Sequence, residues 1–472
     1  MTYTAYIKPK IMYGASAYAS ASSTRLDQLE RIQNAALRIA IGARKTTPIT
    51  ALQVEANIPP LKLYIKEANT RYYYKLQTLN DHPTTNYITD DPNARNKVWT
   101  HGHFKKPFIE RAKETLHQWQ LPPDLDVRDQ TLPHQPPWND IKMKLQPNLL
   151  QKITKDCSIE RRLAIASETI ESRYKEHLKI YTDGSITEDS SSAAMWIPDL
   201  KHGDSWKMNL GTSRNIMGAE LTALNKALTW LSLNSVIITK TQVVLLTDSL
   251  SSILAMNSYF PPSHAFTINL IKTKYKDLTS EGFDITFQWV PSHIGLPGNE
   301  KADELAKAAH NKDETPFHLD KTEVKTKIRE TMHSVWQQNY NVKKGELHLG
   351  PIKGKIKKRS WASNKNRRTE TALARLRLGH VGLKKHLYRF NQAESPLCLS
   401  CNSEETIEHF FINCVNHVSA RRKMIRNLRA QNIVNPSIAD LLGGGNFEED
   451  DQHKIGAIVS TYLSETRKLY EL

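Results

Sequence analysis

Residues 179–185 read "KIYTDGS" and put a carboxylate at the end of a short apolar strand with a glycine directly behind it. An isolated Asp-Gly pair reads as a turn. Asp183 has a second reading, as a ligand presented to a metal ion from a strand end. The pair by itself does not choose; the residues around it do.

Working outward, residues 176–315 alternate strand and helix patterns. "HLKIYTDG", "AAMWI" and "SWKMNLG" read as three short strands, followed by a helix, "GAELTALNKALTWL", with Leu221, Leu224, Leu228 and Leu231 on one stripe. "TQVVLLTDS" is a near-continuous apolar run of the kind found in buried parallel strands, whereas "FDITFQWV" alternates Phe283, Ile285, Phe287 and Trp289. A last helix, "NEKADELAKAAH", repeats Ala302, Leu305, Ala306 and Ala309 at helical spacing. This order predicts an α/β fold, one mixed sheet with helices on its faces.

Four acids occupy matching places in that pattern: Asp183 and Asp248 end strands, Glu220 lies in the first turn of a helix, and Asp303 sits early in the last one. The carboxyl ends of parallel strands and the neighbouring helix N-termini form the usual site crevice of such sheets. Taken singly, each acid has a plainer role as turn residue, helix cap or solvated helix acid. Brought into one crevice, the four would repel strongly unless divalent cations compensated them. Oxygen ligands without a nearby thiol select Mg²⁺ or Mn²⁺. Two such ions about 4 Å apart suit phosphodiester hydrolysis.

In order, spacing and context, "YTDGS", "GAELTAL", "LLTDSLSSI" and "WVPSHIGLPGNEKADELA" resemble the motifs of type 1 ribonuclease H, over most of 176–315. The resemblance implies a ribonuclease H-like mixed sheet and Mg²⁺-binding acids Asp183, Glu220, Asp248 and Asp303. It also implies a role for His293, ten residues ahead of Asp303, in proton transfer or product release. The implied substrate is the RNA strand of an RNA–DNA hybrid, whose 2′-hydroxyls a groove can test. Between Asp248 and the last strand there is room for one helix plus a turn, "HAFTINLIKTKYKDLTSEG", so the basic handle of some cellular members is expected to be missing.

The chain has 472 residues, too many for one hydrophobic core, and 65 Lys and Arg against 49 Asp and Glu, a net charge of +16. That charge favours nucleic acid as partner, the hybrid or another strand. No apolar run is long enough to span a membrane, and the N-terminus lacks the apolar core of a secretory signal, so an intracellular place, nucleus or cytoplasm, is expected. Three of the four cysteines fall in "CLSCNSEETIEHFFINC", where Cys398, Cys401, His409 and Cys414 are spaced C-x2-C-x7-H-x4-C. Three thiolates and an imidazole make a closed tetrahedral set for structural Zn²⁺. Phe410 and Phe411 either pack this module or, exposed, stack on a base.

Further basic residues lie in "KGKIKKRSWASNKNRR", 353–368, where Lys355, Lys357, Lys358, Arg359, Arg367 and Arg368 are candidate phosphate contacts; a solvated arm or a nuclear localisation signal are the other readings. At the N-terminus, "STRLDQLERIQNAALRIAI" predicts a helix, with Leu26, Leu29, Ile32, Ala36 and Ile39 near helical spacing and a Thr24–Asp27 capping box. "YITDDP" at 87–92 reads as a turn.

The cysteine spacing, the preceding "RLRLGHVGLKKHLYRF" and the N-terminal "KIMYGASAY", "LERIQNAALRIAIGA" and "TPITALQVEANIPPL" resemble the C-terminal part of a non-LTR (LINE-type, Jockey-like) retrotransposon polyprotein. The expected organisation is a helical remnant resembling the end of a reverse transcriptase (1–90), a proline-rich linker and connecting helix (91–175), a ribonuclease H domain (176–315), a basic helical connector (316–395), a CCHC zinc knuckle (396–416) and a helical tail (417–472). With no palm or fingers in view, the chain is not expected to polymerise DNA by itself. Metal-dependent hydrolysis of hybrid RNA is the leading reading, and a catalytically silent nucleic-acid binder of retroelement descent is the alternative. Nothing here bears on oligomeric state.

Overall fold

The computed structural model of the protein describes residues 2–79, 108–125, 127, 128, 138, 140–153, 157–200, 203–211, 215–315, 319–356, 366–444, 447–466, 468 and 472. The turn at 87–92 and the candidate contacts Lys357, Lys358 and Arg359 lie outside the described residues. The chain divides into two compact units, one of residues 71–91 and 122–328, the other of residues 1–70, 92–121 and 329–472. No helix among the described residues is long and apolar enough to cross a membrane.

The first unit is built on a sheet of six strands, β1 (Lys144–Gln146), β2 (Leu178–Ile186), β3 (Ser191–Ile197), β4 (Asp204–Gly211), β5 (Gln242–Thr247) and β6 (Asp284–Trp289), and also carries a separate short parallel pair, Val127–Arg128 with Leu319–Asp320. Their order across the sheet is β1-β6-β5-β2-β3-β4. β2, β3 and β4 are antiparallel neighbours, while β2–β5, β5–β6 and β6–β1 run parallel. The helices are α1 (Ile159–Arg173), α2 (Ile216–Asn234), α3 (Leu250–Met256), α4 (Ala265–Ser280) and α5 (Pro297–Ala309).

Alternation in the strands shows why both faces are covered. Ile180, Val243, Leu245, Ile285 and Phe287 enter one core with Leu221, Leu224 and Leu228 of α2 and Ile268 and Ile271 of α4. Tyr181, Val244 and Leu246 point to the other face, into a core with Ala166 and Ile170 of α1 and Ala302 of α5. A strand buried on both sides must be apolar at consecutive positions, and that is the "VVLL" run.

The structure departs from the sequence reading at two points in this unit. Residues 144–146, within the stretch read as linker, add a sixth, edge strand; Gln288 anchors it by donating to the Gln146 carbonyl at 3.0 Å. Between Asp248 and β6 there are two helices, α3 and α4, where one was expected, because Ser249 caps the first by accepting from Ser252 N.

The second unit is helical among its described residues, with its longest N-terminal helix at Ser23–Ile41. Its buried face does not follow the apolar stripe. Gln33, Asn34 and Leu37 point inward, while Ile32 and Ile39 are 51% and 77% exposed. Polar pairing decides this: Gln33 accepts from Tyr3 and donates to the Pro59 carbonyl, and Asn34 accepts from Gln53. Satisfied amides can be buried where satisfaction is complete. The capping box is absent as well; Ser22 is the cap residue and Asp27 instead pairs with Lys62 at 2.7 Å.

An ion pair sits at the centre of this unit. Arg377, in helix Arg367–Leu378, donates from Nε to Glu55 Oε1 at 2.8 Å and from a second nitrogen to Glu55 Oε2 at 3.1 Å, and it also reaches the Leu442 carbonyl. Both side chains are almost fully buried. Removing one partner strands the other charge out of water, so Arg377→Ala is expected to destabilise this unit by about 3–5 kcal/mol in chemical denaturation, whereas Lys454→Ala, which removes an exposed pair with Asp451, is expected to leave the unfolding midpoint near wild type.

Candidate active site and metal centres

The parallel register of β2 against β5 pairs Thr182 with Thr247, so the next residues stand side by side: Asp248 follows the end of β5, whereas Asp183, expected at a strand end, lies inside β2, which continues to Ile186 by antiparallel pairing with β3. Glu220 arrives from the helix. Asn215 caps α2 by accepting from Gly218 N at 2.8 Å, and the first turn of that helix lies directly on the strand behind Asp183. A Cβ on Gly184 would meet Glu220 N at 2.7 Å, so only glycine lets the helix come this close. The helix starts at Ile216, two residues ahead of the pattern read from the sequence, so Glu220 lies just past its first turn.

Asp183, Glu220 and Asp248 each offer an oxygen within 4.8 Å of the others. Asp183 and Glu220 are buried, and Glu220 Oε2 has no hydrogen-bond partner. A buried oxygen without a donor is expensive. The donor set of three carboxylates and that orphaned oxygen fit a hard divalent cation.

Asp303 enters from α5, with its carboxylate bonded to Lys307 at 2.7 Å. It forms a second acidic group with His293 and Glu300, again with ligand atoms within 4.8 Å. His293 is exposed on the loop before α5 in a left-handed conformation (φ 53°), unusual for a residue with a Cβ.

Supporting contacts went unread in the sequence. Asn299 donates to Asp248 Oδ2 at 3.3 Å, and Trp289 Nε1 donates to the Asp248 main-chain oxygen at 3.0 Å. At the far end of α5, His310 lies within hydrogen-bond distance of Ser185 (3.1 Å) and Ser192 (3.2 Å), tying the helix that carries Asp303 to the strands beside Asp183. Only the closeness of Asn299 and His310 to the acidic motifs hinted at these contacts.

Burial and mutual repulsion raise the carboxyl pKa values. Burial, then the charges of Asp248 and Asp303, push Asp183 up to about 8. Burial and the charges of Asp183 and Asp248 hold Glu220 well above the usual range, and burial raises Asp248 against the opposing bond from Asn299. A cation in the crevice reverses this ordering by favouring the ionised forms.

The thiol cluster assembles in the helical unit. Cys398, Cys401, His409 and Cys414 lie within 4.8 Å of one another, with Sγ separations of 4.0 Å (Cys398–Cys414) and 3.9 Å (Cys401–Cys414). A tetrahedron with metal–sulfur bonds of about 2.3 Å has edges of about 3.8 Å, so the thiols are spaced for Zn²⁺. His409 Nδ1 is within 3.2 Å of Ser403 Oγ, while its Nε2 is buried without a partner. That is the nitrogen left for an ion. Phe410 and Phe411 are buried against Tyr462, whose hydroxyl donates to the Phe410 carbonyl at 2.6 Å. They pack the module and are closed to a base. Among the basic candidates, Arg367 donates to the Ile39 and Ala40 carbonyls at 2.6 and 2.5 Å, while Lys355 and Arg368 are exposed.

The RNase H family model matches residues 175–311. This segment is an RNase H domain, and its mixed sheet with flanking helices is the RNase H-like fold. Similar solved structures include LC11-RNase H1 in complex with an RNA/DNA hybrid (20% identity, 28% of this chain and 96% of that one, TM-score 0.24). Another is RNase H1 from the halophilic archaeon Halobacterium salinarum NRC-1 (20% identity, 28% and 96% coverage, TM-score 0.23). LC11-RNase H1 isolated from compost by a metagenomic approach is 21% identical, with 29% and 96% coverage and a TM-score of 0.24. No curated protein matches the chain.

The raised carboxyls give the metal-free protein a definite pH dependence. Folded Asp183 holds its proton up to about pH 8, whereas the unfolded residue releases it near 4, so between those values the folded state binds more protons and stability falls as pH rises. In EDTA, guanidinium unfolding is expected to show wild-type stability declining from pH 5 to 8, and Asp183→Asn is expected to be more stable than wild type at pH 8 by on the order of 2 kcal/mol. A wild type that gains stability over this window contradicts the crowding of acids.

Proposed function

We propose that the chain is a Mg²⁺- or Mn²⁺-dependent endonuclease that hydrolyses the RNA strand of RNA–DNA hybrids. The observation that carries this reading is the convergence of Asp183, Glu220 and Asp248 with a buried, unpartnered Glu220 oxygen. Asp183, Glu220, Asp248 and Asp303 would hold two ions. When bound, such ions polarise the phosphodiester and activate water at neutral pH.

The chain's own residues do the rest. Asn299 and Trp289 fix Asp248 from both its side-chain and main-chain oxygens, keeping its carboxylate aimed into the crevice. Lys307 holds the Asp303 carboxylate in place from one turn further along α5, at 2.7 Å. His293, exposed at the rim beside Glu300 and Asp303, can take or give a proton at an imidazole nitrogen without leaving its loop. The hybrid is the substrate that the RNase H match at 175–311 favours.

The same reading extends to the rest of the chain. The CCHC cluster would hold a structural Zn²⁺, and the order of helical segment, RNase H domain and thiol cluster supports descent from a non-LTR retrotransposon polyprotein. Its nucleic-acid partners would be met in the nucleus or cytoplasm.

Cleavage of a hybrid labelled on its RNA strand tests the activity. Mg²⁺-dependent cutting is expected in wild type, with Asp183→Asn and Asp248→Asn each losing at least about 1000-fold and His293→Ala about 100-fold in rate. Wild type that binds the hybrid in Mg²⁺ without cutting it would instead make the chain a silent binder. For the second metal, purified protein is expected to contain one zinc per chain, lost in Cys398→Ser together with the cooperative unfolding of the helical unit. Zinc-free protein with unchanged melting removes that assignment.

A further inference from the structure

Away from the acidic crevice, the sheet-containing unit holds a half-open cavity of about 440 Å³. Two helices wall it: residues 71–78 at the end of helix Leu61–Gln77, and residues 321–328 at the start of helix Lys321–Lys343. Val127 and Pro262 complete the lining. Val324 and Ile328 are buried and form an apolar floor, and the Tyr74 hydroxyl is engaged by the Pro122 carbonyl.

Four cations line this floor, Arg71 and Lys75 from one helix and Lys321 and Lys325 from the other. Each pair is spaced i, i+4, so like charges face one another along each helix and again across the cavity. Such spacing is unfavourable in isolation. Among the described residues, no carboxylate lines the cavity. The two acids at the start of the second helix, Asp320 and Glu323, are buried and committed elsewhere: Asp320 accepts from Thr322 N at 2.8 Å, and Glu323 accepts from Asn215 N at 3.2 Å and Asp320 N at 3.0 Å. Pairs at i, i+4 stand about 6 Å apart along a helix axis, so the positive charge spreads along both walls over more than one phosphate needs. Positive walls over an apolar floor suit repeated phosphates carrying sugars between them.

We propose that this cavity grips the sugar–phosphate backbone of a nucleic acid strand. The segment joining Asp248 to β6 offers no lysine-rich excursion between its two helices; residues 257–264 read "NSYFPPSH". The grip is built instead from residues on both sides of the 175–311 segment. It goes beyond the cleavage reading, and its test requires no cleavage.

The test uses the full chain in EDTA and a fluorescein-labelled single-stranded RNA of about 12 nucleotides, with anisotropy followed from about 50 to 300 mM KCl. Lys75 and Lys325 are both exposed, so Lys75→Ala/Lys325→Ala should fold normally. The double variant is expected to bind at least about fivefold more weakly and to reduce the slope of log K against log salt by about 1.4, the value for two lost phosphate contacts on a single strand. Lys75→Arg/Lys325→Arg is expected to retain binding. Lys423→Ala/Lys454→Ala, an equal change of net charge at exposed pairs elsewhere, is expected to leave the slope near wild type. Unchanged affinity and slope in the first variant, or an equal loss in the control, overturns the proposal. A chain that cuts hybrids but shows no effect of the pair loses the grip and keeps the nuclease reading. One that cuts nothing yet loses binding in the pair does the reverse.

Discussion

The parallel pairing of β2 and β5 is the constraint on which the candidate site depends. Because Thr182 and Thr247 are register partners, the residues that follow them must stand side by side, Asp183 inside β2 and Asp248 just past the end of β5. A slip of one residue would turn one of them to the opposite face. The register is held by the cores on both faces: moving either strand by one place would exchange Val243 and Leu245 with Val244 and Leu246 between two differently shaped packings. Apolar packing thus sets the geometry of charges it never touches.

That geometry works against the stability of the protein that carries it. Three carboxylates share a space that burial and repulsion make hostile to charge, and Glu220 keeps an oxygen with no donor among the described residues. A fold selected for stability alone would place a leucine there. The thiol cluster in the helical unit has the same character, with thiols about 4 Å apart and a buried imidazole nitrogen unpaired. In both places the polar groups that the chain leaves incomplete have the donor chemistry that fits a cation, a hard one for the oxygens and a softer one for the sulfurs.

Much of this was legible from residue patterns, and the failures are instructive. The period-two and near-continuous apolar runs identified β2 to β6 because burial on one or both faces writes itself directly into spacing. The edge strand β1 has only three residues and is held by Gln288 and main-chain pairing, so it left no periodic trace in a proline-rich stretch. In helix Ser23–Ile41 the apolar stripe pointed to the wrong face, since Gln33 and Asn34 are buried through partners from distant residues, Tyr3, Gln53 and Pro59. Side-chain amides announce burial only once those partners are known.

By itself the sequence determined which residues carry chemistry: four acids, a loop histidine and a C-x2-C-x7-H-x4-C set, each tied to a local pattern of strand end, helix turn or knuckle. Ligand type and local spacing are properties of short segments, so they survive without a fold. Only the tertiary structure decided which of these groups meet. It set three acids within 4.8 Å of one another, left one oxygen without a donor, enlisted Asn299 and Trp289 to hold Asp248, and turned Arg367 onto main-chain carbonyls. Distances between residues far apart in the chain follow from strand register and helix packing, and those are fixed by the whole core at once.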